Sequence, residues 1–102
     1  MGLFIKETQD KTILISGTDI TLNEVYMRVA FSARANGKTI EIAPTVYSNK
    51  DSYLNNKPLS TDIQTNNYIV NILDTENQTI ETALSYTKNI YEELGYVVTV
   101  EV

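Results

Sequence analysis

The sequence predicts an α+β fold: an antiparallel β-sheet or small sandwich built from hairpins, with one helix in the C-terminal half packed on it and a final C-terminal strand. Three observations predict it. Asn36-Gly37 sits between two arms whose apolar residues match across the turn. One stretch, residues 77–94, carries apolar residues at helical spacing. The chain then closes on an alternating run from Tyr96 to Val102. The length, 102 residues, suits one domain over the whole of 1–102.

Taken in order, Leu3-Phe4-Ile5 and Ile13-Leu14-Ile15 flank Gln9-Asp10-Lys11, which predicts a first hairpin within residues 3–16. Gly17-Thr18-Asp19 then breaks the chain. Asn-Gly is the favoured pair for a type I′ turn, because both central residues need positive φ. With that turn, Ala33 faces Ile40, Phe31 faces Ile42, Val29 faces Pro44 and Met27 faces Val46 on one side. Arg34 with Thr39, Ser32 with Glu41, Arg28 with Thr45 and Tyr26 with Tyr47 fall on the other. One apolar and one mixed face is what a half-buried pair requires, and a one-residue slip would exchange them. The apolar face makes Phe31 a predicted core residue.

A strand from Val25 to Ala35, about eleven residues at about 3.3 Å each, spans roughly 36 Å, as wide as a domain of this size. Pro44 lacks a ladder donor. Together these predict a bend near Pro44, with the tip from Arg34 to Ile40 reaching past the core and offering Ala33 and Ile40 to a neighbour. Residues 48–61, rich in Asn, Ser, Asp and Pro, read as a loop. Residues 63–73 read as a strand, with Tyr68, Val70 and Ile72 on one face and Ile69, Asn71 and Leu73 on the other. The predicted helix has a stripe of Ile80, Ala83, Leu84, Thr87, Tyr91 and Leu94. Thr75 with Gln78, or Asn77, supplies the N-cap, and Gly95 suits the position just past the C-terminus. In the last strand Tyr96, Val98, Val100 and Val102 share a face opposite Thr99 and Glu101.

Composition excludes more than it identifies. The net charge is −5, so phosphate backbones are repelled and nucleic acid is not the expected partner. Without His or Cys there is no zinc ribbon, no Cys nucleophile and no His-based acid–base chemistry. No apolar run approaches the roughly 20 residues of a membrane span. Gly2 invites myristoylation, but Lys6 stands where that pattern wants Ser or Thr. Asn49, Asp51, Asn55 and Asp62 surround one loop without calcium-loop spacing. Glu92 and Glu93, adjacent on a helix, point apart. Asn77-Gln78-Thr79 matches a glycosylation sequon, but Asn and Thr equally favour a helix N-terminus. No catalytic, cofactor-binding or metal residue is predicted, and the chain is not expected to be an enzyme.

Partner binding is the remaining expectation. Arg28, Arg34 and Lys38 form a basic stripe on the polar face of the hairpin, with Glu41 diagonal to Arg34 and partly neutralising it. Seven tyrosines are many for this length, and Tyr is enriched at interfaces. Tyr26, Tyr47 and Tyr53 are predicted to lie at a contact surface. A non-catalytic adaptor working through a strand edge or the 48–61 loop is an alternative, and a β-ribbon nucleic-acid binder another.

The segments Val25-Tyr26-Met27-Arg28-Val29-Ala30-Phe31, Gly37-Lys38-Thr39-Ile40-Glu41-Ile42, Tyr47-Ser48-Asn49-Lys50 and Leu94-Gly95-Tyr96-Val97-Val98-Thr99-Val100 resemble small virion structural proteins of tailed bacteriophages, particularly the crAss-like group. The resemblance runs from about Leu22 to Val102. It implies a capsid, collar or tail component, made in the host cytoplasm and incorporated in the virion. Its partners would be further copies of itself and other virion proteins. It carries over no site residues.

Overall fold

The structure, a computed structural model, describes residues 2–73 and 77–101. In chain order the elements are β1 (Leu3–Lys6), β2 (Ile13–Leu14), β3 (Thr21–Leu22), β4 (Glu24–Ala33), β5 (Thr39–Tyr47), α1 (Lys50–Leu54), β6 (Tyr68–Asn71), α2 (Ile80–Glu93) and β7 (Val97–Val100). Five strands form one antiparallel sheet in the order β6-β5-β4-β1-β7, and β2 and β3 form a separate ribbon. The fold is α+β, with α2 packed on one face of the sheet and the last strand at its edge.

The central hairpin has the expected register: Ala33 faces Ile40, Phe31 faces Ile42, Val29 faces Pro44 and Met27 faces Val46. Its turn is of another kind. Asn36 has negative φ and only Gly37, at φ 74°, lies in the left-handed region. The Gly37 N–H donates to the Arg34 carbonyl and the Arg34 N–H to the Thr39 carbonyl. The connection is therefore a four-residue loop, a type I turn followed by a left-handed glycine. Asn36 turns its side chain inward, its Oδ1 accepting from the backbone N–H groups of Lys38 and Thr39 at 2.9 and 3.1 Å. One strained position thus replaces two, and opening the loop by one pair on each arm leaves the register intact.

A Cβ on Gly37 would meet nothing within 4 Å, so only backbone strain opposes a side chain there. Gly37→Val is expected to cost about 1–3 kcal/mol and Gly37→Asn much less, since Asn tolerates this region. Equal melting temperatures for the two variants would show that the strain is absent.

β5 runs uninterrupted through Pro44 and keeps one register with β4 on both sides of it. The ladder explains why. The Arg34–Thr39 pair is hydrogen-bonded, and alternation makes Val29–Pro44 a non-bonded pair. Pro44 therefore points its missing donor away from β4. On that side β6 pairs with Thr39 to Ile42 and has already ended. The tip is also less of an arm than expected. Residues 32–38 are exposed, but Ile40 is fully buried and cannot be offered to a neighbour. The side chain of Gln78 donates to the carbonyls of Arg34 and Thr39, tying the tip to the approach to α2. A ten-residue β4 of roughly 33 Å fits within the longest dimension of 44 Å. Phe31, expected in the core, is half-buried against it, because it sits beside this exposed tip.

The first expected hairpin does not exist. A tight turn joins Thr8 and Lys11, but β1 pairs with β4 and β7 while β2 pairs with β3. A central place between two strands buries Leu3 and Ile5 completely, which a two-stranded hairpin could not do. Residues 48–61, expected as loop, contain α1, capped by the Asn49 side chain on the Ser52 N–H. The strand expected over 63–73 is confined to β6, but its faces are as expected: Tyr68 and Val70 pack against the core, Ile72 is buried within it, and Ile69 and Leu73 point out.

α2 starts later than its periodicity suggests. Thr79 is its N-cap, accepting from the Thr82 N–H, and Thr75 lies outside the described residues. Ala83, Leu84, Thr87 and Tyr91 form its buried stripe. It ends as predicted. Gly95 at φ 106° lets its own N–H donate to the Glu92 carbonyl and that of Tyr96 to the Tyr91 carbonyl.

Candidate functional site

Four of the six predicted contact residues come together on the outer face of the sheet, away from α2. Strand alternation puts Phe4 of β1, Tyr26 and Arg28 of β4, and Tyr47 of β5 on this face, with Phe4 opposite Tyr26 and Tyr26 opposite Tyr47. Helix α1 follows directly and lays Tyr53 over them. The ring centroids are 5.3 Å apart for Phe4–Tyr26, 5.8 Å for Tyr26–Tyr53 and 5.3 Å for Tyr47–Tyr53, in tilted or edge-on arrangements.

A polar chain crosses the rings. The Arg28 guanidinium stacks 4.5 Å from the Tyr53 centroid and donates to the Tyr26 hydroxyl at 3.3 Å. Tyr26 donates in turn to Glu101 at 2.7 Å, and the other Glu101 oxygen lies 2.6 Å from Lys50 Nζ. Burial, then the bond to Glu101, raises the Tyr26 hydroxyl above the ordinary tyrosine range. The bond to Tyr26 raises Arg28 further. Bonds from Lys50 and then Tyr26 hold the Glu101 carboxyl below its ordinary value, and the bond to Glu101 raises Lys50.

This geometry corrects the expectation for Tyr26 and Tyr47. They are 0% and 8% exposed, so neither lies at a contact surface. Tyr53 is half-buried and roofs them. The cluster is a lock that joins α1 and the residue after β7 to the middle of the sheet. Within it the Tyr26 hydroxyl is made harder to deprotonate, and the Glu101 carboxylate is engaged on both oxygens. Arg34 and Lys38 lie apart, at the hairpin tip. Arg34 pairs with Glu41 at 3.3 Å, which divides the predicted basic stripe into two places. Sequence reading missed Phe4, Lys50 and Glu101. The signal for two of them was present: Phe4 alternates with Leu3 and Ile5, and Glu101 with Val100, so both belong to the outer face.

Glu101 gives the lock a pH dependence. Its folded pKa lies below the unfolded value near 4.5, so its stabilisation is complete above that value and is lost as pH falls through the lowered folded one. Acidification from pH 6 to 3 is expected to lower the melting temperature of the native chain more than that of Glu101→Gln. Parallel curves would remove Glu101 from the account.

Elsewhere the described residues offer shallow relief. A groove of about 380 Å³ runs beside β5, lined by Pro44, Thr45, Val46, Pro58, Leu59 and Thr65, with no titratable side chain. No three carboxylates converge among the described residues. Asn49 and Asp62, considered above with a calcium loop, serve the backbone: Asn49 caps α1 and Asp62 accepts from the Leu14 N–H at 2.9 Å. No described helix is long and apolar enough to cross a membrane. Among the described residues, the exposed large apolar side chains are Ile20, Leu54, Ile69, Leu73 and Val97. Two of these, Ile69 and Leu73, share one face at the β6 edge.

The chain matches no protein-family model, no curated protein and no solved structure.

Proposed function

We propose that the protein is a structural component of a bacteriophage virion, in the capsid, collar or tail, and acts through assembly contacts without catalysis. The observation that carries the assembly reading is the β6 edge. A sheet edge with exposed backbone and large apolar side chains beside it is a surface that other chains complete. The virion setting rests on the sequence resemblance to small phage structural proteins. Its partners on this reading are other copies of itself and other virion proteins, with no membrane involved. Nucleic-acid binding through the hairpin is disfavoured, since Arg28 and Arg34 are each committed to partners within the chain.

The test is the composition of purified particles. Mass spectrometry of gradient-purified virions from the phage that encodes the chain is expected to find it in stoichiometric amounts, resistant to high-salt washing. Its absence from particles, with the protein present in the infected lysate, would turn the reading toward a soluble adaptor.

A further inference from the structure

We propose that β7 pairs with β7 of a second copy, antiparallel, about a two-fold axis passing through Thr99. The edge concerned lies opposite β6, so the inference goes beyond the reading above and stands apart from it.

The ladder shows which groups are available. The Glu101 N–H donates to the Gly2 carbonyl at 2.8 Å, on the β1 side. Alternation assigns Thr99 and Val97 to that side as well, so the backbone groups of Val98 and Val100 face away from β1. β7 is the last strand in the sheet order here. Among the described residues, no hydrogen bond reaches these outward groups.

Backbone geometry makes this edge complementary to itself. An antiparallel pair centred on Thr99 sets Val98 against Val100 of the partner subunit, and Val100 against Val98 of the partner subunit. Both are hydrogen-bonded pairs, so four bonds form and every outward donor and acceptor of the two valines is used. All four lie within β7. Between them Thr99 meets its own copy on the outer face, a favourable cross-strand match. Centring on Val98 would instead call on Tyr96, whose N–H already donates to the Tyr91 carbonyl.

Charge also permits self-pairing. The chain carries −5 overall, yet residues 94–100 contain no charged side chain. The two Glu101 carboxylates stand four residues, roughly 13 Å, apart along the strands, each held by its own Lys50. Helix α2 agrees. Tyr91 meets Tyr68 of β6, which turns the opposite flank of α2 toward β7. That flank carries Tyr86 and Ile90, one turn apart and both half-buried, whereas the β6 flank carries Glu81 and Lys88. The two-fold sets the uncharged flanks of two α2 helices side by side, over two five-stranded sheets joined into one. A four-residue strand edge is small beside the about 800 Å² per partner of a standard interface, so the dimer is expected to depend on concentration.

The absence of cysteine from the chain allows a direct experiment. Facing residues of a non-bonded antiparallel pair have Cα atoms about 4.5 Å apart, within disulfide range. Thr99 is exposed, so substitution there leaves the core intact. Full-length Thr99→Cys, oxidised mildly, is expected to form a disulfide dimer about 10-fold or more faster than Ile20→Cys, whose thiol is also exposed but lies elsewhere. Sedimentation velocity of the native chain over rising concentration is expected to show a monomer–dimer equilibrium. Thr99→Lys and Thr99→Glu each set like charges on the axis, so each alone should be monomeric where the native chain dimerises. Mixed in equal amounts, the two should dimerise again, which only an axis through this residue explains. A native chain that stays monomeric to about 1 mM, equal cross-linking of the two cysteine variants, or charge variants that associate no better mixed than alone overturns the two-fold. That result leaves particle composition to judge the virion reading separately.

Discussion

Tyr91→Ala is expected to destabilise the protein by about 3–5 kcal/mol, a large part of the roughly 5–15 kcal/mol available to a domain of this kind. Tyr91 is fully buried on the inner stripe of α2. Its ring meets Tyr68 edge-on, with centroids 6.5 Å apart, and its hydroxyl donates to the Gln64 carbonyl. Burial pushes that hydroxyl far above the ordinary tyrosine range, so it stays a donor at any ordinary pH. Truncation removes the ring, leaves a cavity between helix and sheet, and strips the Gln64 carbonyl of this donor. The melting temperature should fall by more than about 12 °C. Tyr91→Phe keeps the ring and loses only the bond, so it should cost about 1–2 kcal/mol. Thermal and urea unfolding check both. A loss below about 1 kcal/mol for the alanine variant would mean that α2 is not seated through this residue.

Tyr26→Ala is expected to cost a similar amount, about 3–5 kcal/mol, but from the other face of the sheet. Tyr26 is fully buried between Phe4 and Tyr53 and links Arg28 to Glu101. Tyr26→Phe separates the two contributions. It preserves ring packing and removes a hydrogen bond to a carboxylate, a loss of about 1.5–3 kcal/mol. Because Glu101 also holds Lys50 of α1, the effect should spread to the helix that roofs the cluster. Amide exchange in residues 50–55 is expected to accelerate in Tyr26→Phe without a matching change in α2. A double-mutant cycle with Lys50→Ala should show the two substitutions to be coupled. Strict additivity would show that α1 is held by ring stacking alone.

The outer-face cluster illustrates what residue type cannot convey. Tyr26, Arg28 and Tyr47 fall on the polar side of the hairpin by alternation, and that side was read as surface. In the folded chain α1 covers it. A five-residue helix leaves too few positions for a periodic signal, and its cap, Asn49, sits among other turn-forming residues. Arg28 and Arg34 likewise read as one basic stripe until separate partners divide them.

Local rules carried the parts of this protein that are closed by neighbours in sequence. The hairpin register follows from two arms whose apolar sets match in one alignment. The helix stripe follows from spacing, and the end of α2 from one glycine free to adopt positive φ. Tertiary structure decided the rest. Leu3 and Ile5 present the same alternation whether β1 lies in a hairpin with β2 or between β4 and β7, and only the second place buries them fully. The Asn-Gly loop could close over two residues or four in the same register. The competition was settled by the Asn36 side chain and by Gln78, forty-two positions away, donating to the loop's closing carbonyls. Periodicity states which face of an element is apolar. Which partner buries that face is a matter of total area and satisfied hydrogen bonds, and those exist only once the chain is assembled.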